Sequence, residues 1–343
     1  MSAYALPVIF FAPLMGILSD LYGRKPILIF NLVLLGASGL AITLVQKFYL
    51  VLLLRFVQGI GFSGTMPLTV ALIGDYFRSE EESAAQGMRS FFNGAAAFCL
   101  PVIGGALAAF SWKYPFFLFG FPLFVAWVAR SGFSGIKAKK RKTSSHYFGE
   151  LTRVTKRPLI LLVLAAGGLR FFLFYGFVTY LPIFLTVFLR FSAAKIGLMV
   201  GLHGLTMALT ASQNGRLAAR FAKSSLVLAG FIIVGLALFI IPLYPWPLLI
   251  GGLSCLSGFG DGMIGPSQNS LITQNVPQEM RGGLVSLSGV VKNVGKFLAP
   301  LLLGLVLLSH DSRAVFLMLG LTALVPAVLL YGYQTYYRIS SRR

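Results

Sequence analysis

Ionisable side chains are scarce in this sequence, and the informative ones lie inside long apolar runs. Asp261 sits in Gly258-Phe259-Gly260-Asp261-Gly262. Arg170 and His203 fall near the middle of two other runs, and Lys292, Asn293 and Lys296 interrupt a fourth. Arg55 stands in Arg55-Phe56-Val57-Gln58-Gly59-Ile60-Gly61. A charge surrounded by hydrocarbon is costly, so each of these residues is a functional candidate by default. Asp and His can take up and release protons, and His does so near neutrality. Arg and Lys can hold an anion. Lys292 and Lys296 are four residues apart and share a helix face. Pairing one of them with Asp261 would lower the cost of burying both. Two uses stay open: a pair that merely joins two helices, or cavity groups that contact a solute or relay protons. His203 has its own alternatives, titration or a helix–helix hydrogen bond. The aromatic run that holds Phe171, Phe174, Tyr175 and Phe177 lines an apolar cavity with one face or packs it against lipid.

No nucleophile–base pair, metal-ligand cluster or phosphate loop has usable spacing, so an enzyme, a metal and a cofactor are not expected. Cys99 and Cys255 fall in apolar runs and read as small hydrophobes.

The elements that must position these groups are membrane helices. Of 343 residues, 57% are hydrophobic and only 11% charged, against about 25% charged in soluble domains. About eleven runs are long enough to span a bilayer. They lie near 3–19, 27–45, 49–73, 88–109, 114–129, 158–187, 191–212, 225–243, 247–268, 285–308 and 314–336. They are continuously apolar rather than alternating, which selects helices over a barrel. The net charge of +20 sits in short gaps between runs and at 130–157, where cytoplasmic loops carry Lys and Arg. Nucleic acid is therefore not an expected partner. Alternate loops are basic, which places the C-terminus and the 130–157 linker in the cytoplasm. No cleavable signal peptide is evident.

An internal repeat divides the chain into residues 1–129, a basic linker at 130–157, and residues 158–343. The loop beginning Gly16 recurs at Gly215-Arg216-Leu217-Ala218-Ala219-Arg220. Ser79-Glu80-Glu81-Glu82-Ser83 recurs as Pro277-Gln278-Glu279-Met280-Arg281 at nearly the same offset. Repeats of this kind mark transporters. The offset would put the partner of 158–187 ahead of Met1, so the chain is expected to lack the first of about twelve spans.

Gly16-Ile17-Leu18-Ser19-Asp20-Leu21-Tyr22-Gly23-Arg24-Lys25-Pro26 resembles the loop 2–3 signature of the major facilitator superfamily, and the likeness extends over nearly the whole chain. The resemblance implies an all-α membrane fold of two pseudo-symmetric helical halves, with a solute path between them. It implies that Asp20 contacts the start of the penultimate helix near Gly283, and that Arg24 pairs with Asp75. These contacts, with Gly16 and Gly23 shaping the loop, would form a gate on the cytoplasmic side. The second-half copy has Ala219 in place of Asp20. The Arg55 segment resembles the fourth-helix motif linked to proton transfer. Pro101-Val102-Ile103-Gly104-Gly105 resembles the fifth-helix antiporter motif, with Leu100 where a glycine usually precedes the proline.

Within the superfamily the chain resembles bacterial-type drug:proton antiporters. That implies a monomer in the plasma or bacterial inner membrane that exports small organic molecules in exchange for protons. Arg55, Asp261 and His203 are then the candidates for proton coupling. Gln58, Arg170, Tyr175, Lys292, Asn293 and Lys296 are the candidates for the solute cavity. Two alternatives stand beside it: a metabolite or organic-anion carrier, suggested by Arg170, Lys292 and Lys296, and a non-transporting sensor or remnant, suggested by the absent first span.

Overall fold

The computed structural model describes residues 2–77, 80–132, 154–276 and 281–340. Among them are twelve α-helices and a short 3-10 turn (Tyr114–Phe119), with no strand. In chain order the helices are α1 (Ser2–Tyr22), α2 (Arg24–Leu44), α3 (Phe48–Ser63), α4 (Thr65–Tyr76), α5 (Glu80–Phe110), α6 (Gly120–Gly132), α7 (Pro158–Leu189), α8 (Ala193–Arg220), α9 (Lys223–Ile240), α10 (Pro247–Gln274), α11 (Arg281–Ser309) and α12 (Ser312–Ser340). They make 11 spans long and apolar enough to cross a membrane, with α3 and α4 forming one of them. Most of the basic linker (133–153) and part of the repeated acidic loop (78–79 and 277–280) lie outside the described residues.

The helices are spaced as the apolar runs require, but their breaks follow backbone chemistry. The 49–73 run is read from sequence as one helix. It divides at Gly64 because Pro67 has no N–H to donate to the carbonyl of Ser63, four residues back. The 114–129 run begins as a 3-10 turn before α6 continues it. Prolines inside α5, α7, α10, α11 and α12 are carried without ending those helices.

The structure divides into two compact units. The first is built from α1–α4, residues up to Asn93 of α5, and Ala106 onward through α6. In it α3 packs against α1 and α2, and α6 covers α2. The second contains Gly94–Gly105 of α5 together with α7–α12. There α10 lies between α8 and α9, while α7 packs on α11 and α12. Tyr180 of α7 donates a hydrogen bond to the Pro300 carbonyl of α11 at 2.8 Å. Its core is apolar and aromatic: Phe177, Phe184, Phe231, Leu303 and Phe316 are essentially inaccessible.

The central segment of α5 shows why small residues recur there. Gly105 approaches Gly197 of α8 so closely that a Cβ on Gly105 would lie 2.8 Å from the Gly197 Cα. A Cβ on Gly197 would strike the Pro101 carbonyl. Helices in lipid gain little from hydrophobic transfer and associate through such backbone contact. Gly104, the neighbour in the same motif, has open space beside it. Gly197→Leu should therefore lower stability by about 1–3 kcal/mol through overpacking, read as a lower unfolding midpoint in detergent. Gly104→Leu should leave the midpoint unchanged.

Candidate functional site

The most deeply buried span is α10, 67% of whose apolar window is enclosed. Its small residues permit this. A Cβ on Gly262 would lie 2.6 Å from the Met207 carbonyl of α8, and one on Gly258 would strike the His203 carbonyl. Serines 254, 257 and 267 on the same helix are buried as well. Close contact with α8 brings the carboxylate of Asp261 into a volume bounded by α7, α8 and α9.

Three side chains meet there. Arg170 of α7 donates from Nε to Asp261 Oδ1 in a close charge-assisted hydrogen bond. The His203 Nε2 of α8 stands 3.8 Å from Asp261 Oδ2. Asp261 and His203 are 4% and 2% exposed, so both ionisable groups are effectively inside the protein. The His203 ring lies against Phe174 and Phe177, at centroid distances of 5.4 and 4.9 Å. A small cavity borders the group, lined by Arg170, Phe174, His203, Ser257, Asp261 and the apolar residues of α9. It has room for about one water molecule.

This arrangement corrects the sequence expectation for Asp261. Its partner is Arg170, not Lys292 or Lys296. The reason is local: Gly265, one turn beyond Asp261, leaves a trough along α10. The guanidinium lies in it, 3.0 Å from where a Cβ would stand. The planar fork of Arg suits a carboxylate better than a point-charge ammonium does.

The two lysines of α11 lie elsewhere, Lys292 against α7 and α10 and Lys296 against α7. Lys292 Nζ donates to Asn269 Oδ1 at 3.0 Å and lies 5.9 Å from the Phe171 centroid. Lys296, 4% exposed, lies 4.7 Å from the Tyr175 centroid. Arg170 also approaches Phe171, at 5.7 Å. Cations over aromatic faces in this manner are stabilised by the ring quadrupole. Phe171 and Tyr175 thus present an aromatic face with positive charge above it. Asn293 does not join them; its Nδ2 bonds back to the Gly289 carbonyl of its own helix at 2.9 Å. Two carboxamides missed in the sequence complete the polar interior of this unit. Gln268 donates to the Val163 carbonyl at 2.5 Å, and Asn214 joins Ser267 and the Met263 carbonyl at 3.1 Å. A polar side chain within an apolar, small-residue helix was the available signal.

In the first unit, Arg24 Nε forms an ion pair with Asp75 Oδ2 at 2.5 Å, while its Nη2 stands 4.0 Å from Asp20. Arg24 therefore belongs mainly to Asp75, and ties the start of α2 to the end of α4. Gly23, at φ 95, makes the turn that admits Pro26 into the first turn of α2. Gly16 has open space around its Cα. Arg55 donates to Gln58 Oε1 at 2.9 Å and lies 4.6 Å from the Phe116 ring centroid. Gln58 is fully buried, with Nε2 turned toward Gly39 of α2. It serves as the acceptor for a half-buried guanidinium.

Removing one partner of a buried ion pair strands the other charge, at about 3–5 kcal/mol, whereas replacing both with apolar groups is often neutral. Asp261→Leu and Arg170→Met should each lower the unfolding midpoint of the protein in detergent. The double variant should recover most of the loss. A double variant as unstable as the sum of the singles would show that the pair is not coupled.

The family model for the Major Facilitator Superfamily matches residues 1–192 and 189–340. The Multidrug resistance protein MdtG of Yersinia enterocolitica is 27% identical over 335 residues, covering 94% of this chain and 78% of that protein. MdtG of Enterobacter lignolyticus is 25% identical over 330 residues, covering 92% and 77%. Among solved structures, a bacterial homolog of the human lysosomal transporter Spinster, inward-facing and unoccupied, superposes with a TM-score of 0.70. Its identity is 17%, with 99% of this chain and 89% of that one covered. The human organic anion transporter MFSD10 gives 0.65 at 19% identity, covering 96% and 82%. With its 11 apolar spans and these matches, the chain belongs to the Major Facilitator Superfamily and is a multi-pass membrane transporter, not an enzyme.

Proposed function

We propose that this transporter exports small organic molecules in exchange for protons, working as a monomer in a plasma or bacterial inner membrane with its C-terminus cytoplasmic. The observation that carries this is the Asp261–Arg170–His203 group: a buried, protonatable cluster beside an aromatic cavity in the most enclosed helix. A structural ion pair does not require a histidine at its edge. The MdtG relatives are named for multidrug resistance, which supports an organic cargo and the outward direction. Alternating access then needs a proton and a cargo with different affinities for two states. In the first unit Arg24–Asp75 would act as a latch at the cytoplasmic ends of α2 and α4.

A second reading rests on a separate observation. Arg170, Lys292 and Lys296 crowd positive charge around Phe171 and Tyr175, a surface suited to an aromatic anion. The two readings differ in the sign of coupling. For exchange, proton and cargo must exclude one another. An anion is drawn to a site that has just gained a proton, and linkage is reciprocal, so proton and anion would travel together.

Proteoliposomes holding the pure chain and a luminal pH dye distinguish them. They are loaded with ethidium, a cationic aromatic dye, or with carboxyfluorescein, an anionic one. Ethidium leaving the lumen should acidify it if protons are exchanged inward. Carboxyfluorescein leaving with alkalinisation would favour the anion carrier. Efflux of either dye without any change in luminal pH would refute proton coupling.

A further inference from the structure

Resting on the proposal that protons drive transport, we infer that His203 is the group that takes up and releases the transported proton, with Asp261 as its fixed counter-charge. Both are buried, and their facing atoms, Nε2 and Oδ2, make no hydrogen bond. The 3.8 Å between them is too long for one, since N–H···O bonds run at about 2.7–3.2 Å. A turn of the ring, or one bridging water in the adjoining cavity, closes that gap. His203 Nδ1 is likewise buried without a partner. A histidine kept only for structure normally satisfies its ring nitrogens with backbone or side-chain partners. This one is held by two aromatic rings and by nothing polar at bonding distance.

The charges around the pair decide which group takes the proton. A proton on Asp261 would leave the guanidinium of Arg170 enclosed without its anion. A proton on His203 would place a second cation on the other oxygen of an existing anion, giving Arg170⁺–Asp261⁻–His203⁺. The Coulomb terms favour the latter in a low-dielectric interior. The flanking Phe174 and Phe177 faces favour an imidazolium as well.

The titratable and charged groups on the helices packed on this cluster are few. From α7 come Arg170, Tyr175 and Tyr180. From α8 comes His203 itself. The enclosed part of α9 offers Phe231 and Val234, without a charge. On α10 Asp261 is accompanied by Cys255 in the same helix. From α11 come Lys292 and Lys296, over the rings of Phe171 and Tyr175. The Gly94–Gly105 segment of α5 contributes only Cys99, which is exposed. Asp261 is thus the only carboxylate among the described residues that reaches the imidazole. A proton here ties α8 to α10 through Asp261, while Arg170 already ties α7 to the same carboxylate. One protonation event therefore adds a link between α8 and α10 to the link already made between α7 and α10.

Two measurements test this. In the first, wild-type chain and His203→Gln are reconstituted, and ethidium transport driven by an imposed pH gradient is compared with counterflow exchange of the same dye. His203→Gln should lose gradient-driven transport and keep counterflow. Undiminished gradient-driven transport in His203→Gln would overturn the inference. In the second, histidine-labelled wild-type chain is titrated in detergent by NMR between about pH 5 and 9, with the His203 signal assigned by its loss in His203→Gln. The signal should titrate, and Asp261→Asn should displace that titration. A His203 signal constant over this range, or indifferent to Asp261→Asn, would also overturn it. If wild-type chain shows no gradient-driven ethidium movement, proton-driven export fails as a reading, and the NMR titration still decides the protonation of His203.

Discussion

The interaction on which the second unit depends is the enclosure of one carboxylate. A charge in a helix bundle surrounded by lipid has no water to hold it, and must be met by other charges or dipoles. Asp261 is met by Arg170 from α7 and faces His203 from α8. Three helices are therefore constrained by a single side chain. The glycine and serine content of α10 follows from the same demand: only a slender helix can lie deep enough to bring Asp261 within reach of both neighbours.

The two units solve the problem of charge differently. In the first, Arg24 and Asp75 meet at helix ends, with side chains 18% and 22% accessible. Arg55, further inside, has a neutral carboxamide and an aromatic face as partners rather than an acid. In the second, the charged groups sit mid-helix and are enclosed. On the proposed function, the peripheral pair would serve as a latch and the interior cluster would carry the proton.

The spans and the superfamily signature were legible, because each is a property of short stretches. Helical hydropathy depends on some twenty successive residues, and the Gly16–Pro26 signature is contiguous. The candidates for the site were legible too, since a charge in an apolar run is visible without a partner. Their pairing was not. Lys292 and Lys296 were equally good candidates for Asp261 by type and depth. What selected Arg170 was the trough at Gly265, a feature of how α7 lies on α10. Gln58 and Asn293 show the same limit. Both are polar groups in apolar helices, yet one is a fully buried support for Arg55 and the other turns back on its own backbone.

By itself, then, the amino-acid order determined the solvent of this protein, its helical state and its family, because hydrocarbon solvation and backbone satisfaction act along the chain. The tertiary structure alone decided that an aspartate, an arginine and a histidine from three separate helices share one enclosed point. Ion pairing falls off within a few ångströms and is gated by the presence or absence of a single Cβ. No spacing along the sequence encodes such distances.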